Sequence, residues 1–408
     1  MLEGLRSWKT RVLDRQAQLL GFLLLLKSGK GFPGRREKVL VRDAPRYKVI
    51  VWGTGFVGRQ VVRILLDHPR FELVGVIVNS PEKDGVDVGT LCGLPPVGLT
   101  ASRDARAVLA REAHAVAYFG PTAQFLAENL SNLTLAMEMG KDVVSTSMTP
   151  LVYPKDCPTG IVGPLEEVCQ RTGRTCFTTG IDPGFANDLL PMTLMGVCGR
   201  VDRVRVQEIL DYSSYAGDYK PMGLGEPMDY RAILESPEVL QFGWGMTVPM
   251  MADALGVRLD RIDSTWEKWA TPEEIRYEHG VIPAGCCAAI RFEIRGWVGG
   301  EPRIVLEHCN RVTRAAAPHW PKGKMYEHDV YRVIVEGDPC IEQETALRDG
   351  ATRDANRAGC LATGMRAVNA IPAVCAAGPG LISALDLPLI PGFGSLRYGP
   401  TEPSSPAR

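Results

Sequence analysis

Short apolar runs alternate with amphipathic stretches from Tyr47 onward, the rhythm of parallel strands buried on both faces and joined by crossover helices. Apolar runs at 48–52, 73–79, 115–119, 142–146 and 175–178 predict strands. Helical spacing predicts helices at 57–67, 103–112, 122–139 and 164–172, the last opening on Pro164, a residue suited to a first helical turn. Beyond Gly184 the runs lengthen, and 201–210, 288–298, 302–312 and 329–336 read as an antiparallel sheet in a second part of the chain. A late stretch, 354–377, has apolar residues at helical spacing and is expected to return over the first part. The class is α/β: a parallel-sheet domain over 47–184, an α+β domain with a mainly antiparallel sheet over 185–353, and a helical return over 354–396. The Pro- and Ser-rich tail over 397–408 is expected to be disordered.

Ahead of this pattern stands a basic leader, 1–46, with Arg6, Lys9, Arg11, Arg15, Lys27, Lys30, Arg35, Arg36 and Lys38. Its apolar run, residues 19–26 (LLGFLLLL), falls far short of the roughly 20 residues a membrane span needs. It reads as a targeting segment, an amphipathic surface helix or a dispensable extension; the last is favoured because no small-residue cleavage site follows the run.

The local signal that carries most chemistry is Tyr47-Lys48-Val49-Ile50-Val51-Trp52 running straight into Gly53-Thr54-Gly55-Phe56-Val57-Gly58. Strand, G-x-G-x-x-G and helix in that order form the Rossmann fingerprint: Gly53 permits the tight turn, Gly55 lets the backbone approach a pyrophosphate, and Gly58 lets helix pack on strand. Unpaired N–H groups at the helix start then face the phosphates. No Gly-Lys-Ser/Thr follows, so a phosphate-transfer loop is excluded. An NAD-specific chain usually ends the second strand in an acid; here Asn79 and Ser80 stand there, with Arg59 and Lys83 available to a 2′-phosphate, which favours NADP over NAD.

Further breaks fall at strand ends, where open α/β sheets bind ligands. Phe119-Gly120-Pro121-Thr122 is expected either to border the nicotinamide ribose or simply to join strand to helix. Ser145-Thr146-Ser147-Met148-Thr149-Pro150 offers hydroxyls, with Ser145 a cofactor candidate. In Gly180-Ile181-Asp182-Pro183-Gly184-Phe185, Asp182 either orients a substrate amine or makes a turn bond before Pro183, and the turn is favoured. Overlapping sequons at Asn129 and Asn132 lie in a predicted helix and read as chance.

The 408 residues, 45% hydrophobic and 23% charged, exceed what one compact domain usually holds. A net charge of -1 supplies no basic surface for nucleic acid, leaving a small-molecule substrate as the expected partner. The 11 cysteines contain no C-x-x-C pair, so neither a zinc site nor a disulfide framework is indicated, and reduced thiols in the cytoplasm are expected. No histidine pair has metal-ligand spacing, so no metal is expected.

The glycine turn, Asp87-Val88-Gly89-Thr90-Leu91-Cys92-Gly93, the Gly180–Phe185 turn and Val206-Gln207-Glu208 together resemble the dihydrodipicolinate reductase-like proteins, and within them 2,4-diaminopentanoate dehydrogenase and the native amine dehydrogenases. The resemblance covers residues 47–396. It implies a Rossmann domain, a second domain carrying the substrate pocket and a homodimer contact, and hydride transfer between NAD(P)H and a C=N carbon. It also implies a glutamate just after the strand at 142–146, where this chain has Ser147-Met148-Thr149.

A proton must accompany the hydride. Glu208 and Asp211, ending the strand at 201–210 with Tyr212 and Tyr215 close behind, are candidates, against a solvent-facing reading of Glu208. His319, fixed between Pro318 and Pro321, is the favoured histidine; His308 and His328 read as structural or exposed. Two other functions remain open. One is an acylating enzyme resembling the semialdehyde dehydrogenases, with Cys157 as nucleophile. The other is a non-catalytic module sensing NAD(P)H.

Overall fold

The computed structural model describes residues 46–121, 125–215, 217, 219–325 and 329–396; the leader, Thr122, His328 and the tail lie outside them. Strands β1 (Tyr47–Trp52), β2 (Phe71–Ile77), β3 (Ala115–Tyr118), β4 (Asp142–Ser145) and β5 (Thr175–Thr178) form a sheet whose pairings are all parallel. The late strand β14 (Gly380–Ile382) completes it in the order β14-β5-β4-β3-β1-β2. The predicted strands are present to within two residues at each end.

Helix α1 (Phe56–Leu65) follows the glycine turn, α2 (Leu126–Glu138) joins β3 to β4, and α3 (Thr159–Thr172) joins β4 to β5. The sequence placed Pro164 at the start of the last of these helices; α3 instead begins at Thr159 after Pro158, and Pro164 sits inside it. Pro158, following the 3-10 turn at Pro154–Asp156, stands as the cap residue, so the first turn forms there, and the missing N–H of Pro164 removes one helical bond without breaking the helix.

Apolar cores lie on both faces of this sheet. Val49, Val51, Val61 and Val76 pack with Val368 and Ile371 on one side; Ile50, Val116, Leu133, Met137 and Leu165 pack on the other. Helix α5 (Ala355–Ala376), N-capped by Asp354 through the amide of Arg357, covers the first of these faces.

The second sheet is built from β6 (Arg200–Asp211), β7 (Arg261–Ala270), β10 (Cys287–Val298), β11 (Glu301–Arg311), β12 (Val330–Asp338) and β13 (Ile341–Thr345), in the order β13-β12-β6-β11-β10-β7. It is mainly antiparallel, as the long runs suggested, but β6 and β11 pair in parallel. Strands β8 (Ile275–Tyr277) and β9 (Gly280–Ile282) form a separate hairpin. One face of the large sheet is apolar, with Val204, Val206, Phe292, Ile294, Ile304, Leu306, Val333 and Val335 packed against α4 (Thr247–Leu255). Among the described residues no helix is long and apolar enough to cross a membrane.

Candidate active site

At the end of β1, Gly53 has φ +103°, and a Cβ there would lie 2.2 Å from the carbonyl oxygen of Phe119. Only glycine accepts both the left-handed conformation and that approach. Gly55, the cap residue of α1, is different: a Cβ there would meet nothing within 4 Å, and no side chain caps the helix. The first-turn N–H groups of α1 therefore face open space, the arrangement that receives a phosphate. Thr54 is buried, Phe56 and Val57 start the helix, and Gly58 lies against the Gly53 carbonyl. These residues fit a pyrophosphate.

Around this turn the other candidates divide. Asn79 is exposed and its amide donates to Glu128 Oε1 of α2 at 3.0 Å; Ser80 caps a short 3-10 turn at Pro81–Lys83. Lys83 Nζ reaches the Thr54 carbonyl at 3.5 Å. Ser145 is fully buried and its Oγ accepts from the Ser147 amide, so it shapes the turn rather than facing a ligand. Ser147 Oγ in turn donates to the Gly120 carbonyl, and Asn129 Nδ2 to that of Pro121, bracing the loop after β3. Asn132 donates to the Tyr118 hydroxyl beneath the same loop. The asparagines of the two sequons thus hold the loop from inside.

The second cluster forms where the apolar face of the second sheet turns polar. In β6, Glu208 continues the face of Val204 and Val206; in β11, His308 and Asn310 continue that of Ile304 and Leu306; in β12, Tyr331 continues that of Val333 and Val335. Register places His308 and Tyr331 on either side of Glu208, and Phe292 of β10 beside His308. The Phe292 ring stacks on the imidazole at 4.5 Å, and Trp244 meets it edge-on at 5.4 Å.

Asp182, from the turn after β5, comes down onto this cluster. His308 Nδ1 lies 3.3 Å from Glu208 Oε1, and Nε2 lies 3.2 Å from Asp182 Oδ2, the second contact off the line a hydrogen bond needs. Glu208 also accepts from Asn310 Nδ2 at 2.8 Å and from the Tyr212 hydroxyl at 3.0 Å. The side chains of Asp182, Glu208 and His308 are 1%, 7% and 2% exposed, so Glu208 is no solvent-facing residue. Neither oxygen of Asp182 makes a hydrogen bond, which leaves a turn bond before Pro183 without support.

The electrostatics follow from this burial. Burial alone would raise Glu208, but the imidazolium of His308 and the hydrogen bonds it receives hold it at about 2. Asp182 is pushed well above the usual carboxylate range, chiefly by burial, and His308 is raised because Asp182 and Glu208 outweigh its desolvation. Burial keeps the Tyr212 and Tyr331 phenols protonated, as donors. Glu208 is thus held low while Asp182 and His308 are both raised, three titrating groups in contact inside one closed cluster. Among the described residues these three side chains also form a group whose ligand atoms lie within 4.8 Å of one another, a geometry able to hold a cation that the histidine spacing gave no reason to expect.

His319 is not part of it: it lies exposed on the loop after β11, edge-on to Trp320 at 6.3 Å. Asp211 accepts from the Ser213 amide and closes a turn. Cys157 is buried and its thiol is pushed up to about 12, so it supplies no thiolate and the acylating reading fails. After β4, Met148 is core and Ser147 is spent on Gly120; the acids of the site come from Asp182 and Glu208 instead.

Residues 47–149 match the dihydrodipicolinate reductase N-terminus, and residues 185–395 match the 2,4-diaminopentanoate dehydrogenase C-terminal domain. Over 352 residues the chain is 38% identical to an amine dehydrogenase of Streptomyces virginiae, spanning 85% of this chain and 98% of that one. The chain belongs to the dihydrodipicolinate reductase-like amine dehydrogenase family. As a member of this amine dehydrogenase family it is an NAD(P)-dependent oxidoreductase, which removes the reading of a non-catalytic sensor. It is also 24% identical to 2,4-diaminopentanoate dehydrogenase of Acetoanaerobium sticklandii over 66% of this chain and 72% of that one. An amine dehydrogenase structure from Mycobacterium smegmatis, 22% identical, superposes with a TM-score of 0.68 over 86% of this chain and 98% of that chain, a likeness of fold.

Proposed function

We propose that the chain transfers hydride between a nicotinamide cofactor and the carbon of a small imine or amine whose nitrogen is held by Asp182 and Glu208. The observation that carries this is the closed cluster itself: the Asp182 carboxyl is 1% exposed, faces His308 Nε2 at 3.2 Å off the line of a hydrogen bond, and keeps acceptor capacity that no donor in the chain fills in good geometry. Buried acceptor capacity is costly to leave unfilled, and a substrate N–H would fill it. Carbonyl reduction without nitrogen is the alternative outcome.

Gly53 to Gly58, with the loop at Gly120 and Pro121, would hold the cofactor, which supplies or accepts the hydride. The chain's own residues handle the nitrogen and its protons. Glu208 accepts hydrogen bonds from the iminium or ammonium. An amine must shed its ammonium proton before its carbon gives up hydride, and the shared proton system of Asp182, Glu208 and His308 takes it. In reduction the same system returns a proton to the amine. Phe292 and Trp244 exclude water from the imidazole.

The division near Gly184 is proposed to separate a cofactor half from a substrate half. The preference for NADP rested on the lack of an acid at the end of β2; Glu128 now stands beside Asn79 there. A homodimer in the cytoplasm is proposed, supported by the second sheet's other face, where Arg205, Arg291 and Gln207 converge on the buried Glu307.

Purified protein assayed with NADH or NADPH and a panel of ketones, with and without ammonia, tests the function. Glu208→Gln is expected to lower kcat/KM by about a hundredfold or more while cofactor affinity changes little. Turnover indifferent to ammonia would sink the amine assignment.

A further inference from the structure

The first sheet carries an acid at the end of β2 that does not belong to β2. Asn79 is the strand-end residue, and its side-chain amide donates to Glu128 Oε1 of the first turn of α2 at 3.0 Å. Both side chains are exposed, and the segment after Asn79 reaches the glycine turn through Lys83 Nζ, 3.5 Å from the Thr54 carbonyl. In dinucleotide-binding folds the acid at this place accepts from the adenosine ribose hydroxyls, and a cation in its stead receives a 2′-phosphate.

Two cations near Asn79 each contact a backbone carbonyl. Arg103 Nε donates to the Asn79 carbonyl at 2.9 Å, and Lys83 Nζ points to the Thr54 carbonyl. Glu82 lies close enough to feel both positive charges, which help to hold its carboxyl below the usual range after its bond to Ser80. Asp84 accepts the Arg103 amide. Arg59 stands on α1 near the Cys92 thiol. Glu82, Asp84 and Glu128 stand among Lys83 and Arg103 around this rim, so an added 2′-phosphate would face carboxylates as well as cations.

We infer that Glu128, presented from α2 and oriented by Asn79, reads the adenosine ribose diol and biases the chain toward NAD(H) over NADP(H). Asn79 keeps its bond to Glu128 Oε1 and so keeps the carboxylate aimed, while Oε2 accepts from the ribose hydroxyls. This rests on the glycine turn being the pyrophosphate site, and requires nothing of the substrate.

The test is direct binding, by quenching or transfer of nicotinamide fluorescence on the full chain, with NADH and NADPH as probes. NADH is expected to bind the unaltered protein more tightly than NADPH. Glu128→Gln should weaken NADH about tenfold or more, the scale of a lost hydrogen bond to a charged group, while NADPH holds or gains. Glu128→Lys should reverse the preference. Since Glu128 is exposed, neither variant threatens folding. Intact binding with tighter NADPH, or NADH affinity unchanged in both variants, overturns this inference alone. Failure of either nucleotide to bind overturns it together with the cofactor site beneath it.

Discussion

His308 is stacked on Phe292 with one ring nitrogen toward Asp182 and the other toward Glu208. A histidine raised in the folded state contributes stability that is fully present below its unfolded value near 6.5 and is lost as pH rises through the raised value. Asp182, also raised, adds loss in the same direction. Glu208, held at about 2 against an ordinary 4.5, contributes stability present above 4.5 and lost as pH falls toward 2. Asp182 already costs stability above its ordinary 3.8 and His308 adds its loss above 6.5, while Glu208 loses its contribution below 4.5, so the melting temperature is expected to be highest at about pH 4 and to decline on both sides. His308→Gln should flatten the alkaline limb and Glu208→Gln the acid limb in scanning calorimetry across pH. An alkaline limb unchanged in His308→Gln would contradict the proton sharing. Asp182 and Glu208 were legible as candidates because each is an acid at a strand end. Their partner was not, because His308 meets Glu208 only through a pairing of strands 100 residues apart in sequence.

At the scale of elements, α5 and α1 meet at Gly364. A Cβ there would fall 2.3 Å from Val61 Cγ2 and 3.0 Å from Val57 Cγ1. Both valines are stiff, β-branched residues on the helix that opens at the glycine turn, so neither can swing clear. Gly364→Ala gains up to about 1 kcal/mol of helix propensity but is expected to lose about 1–3 kcal/mol to overpacking. Urea unfolding measures the balance. A variant more stable than the parent would show that the helices can move apart. A loss of stability accompanied by weaker NADH binding would tie this contact to the phosphate-facing turn. Strands β1 to β5 of the first sheet were legible because each is a short, mostly apolar run, whereas the three-residue β14, within the stretch read as a helical return, was not. Strand β7 was missed for the opposite reason: it is an edge strand, half exposed, whose alternating charges Arg261, Asp263, Glu267 and Lys268 dilute the apolar pattern. The parallel pairing of β6 with β11 was hidden as well, since periodicity fixes the face of a strand and not its neighbour.

At the scale of the whole molecule, the second sheet has one face against α4 and another laced with charge. Arg205 bridges Glu293 and Glu307, Arg291 reaches Glu267 and Glu307, Arg295 holds Asp263, and Arg332 pairs with Glu344. Arg291 and Arg205 remain about a quarter exposed, and Glu267 is 50% exposed, while Glu307 at the centre is 1% exposed. An ordered lattice of ion pairs on an open sheet gains little as a surface feature, since exposed pairs contribute roughly 0–1 kcal/mol each. Covered by a second copy, the same lattice is desolvated and fixes the register of the two sheets, and a two-fold contact needs only a face that complements itself. Light scattering coupled to size exclusion is therefore expected to give about twice the chain's 44.5 kDa. Glu267→Arg places a cation opposite Arg291 at the rim of the face and should shift the protein toward monomer at micromolar concentration. Its own fold should be intact, because Glu307 retains Arg205, Arg291 and Gln207. A parent chain that elutes as a monomer at high concentration and low salt would remove the dimer. The charged face would then be a solvated surface of a single chain, and the site built from Asp182, Glu208 and His308 would be complete within it.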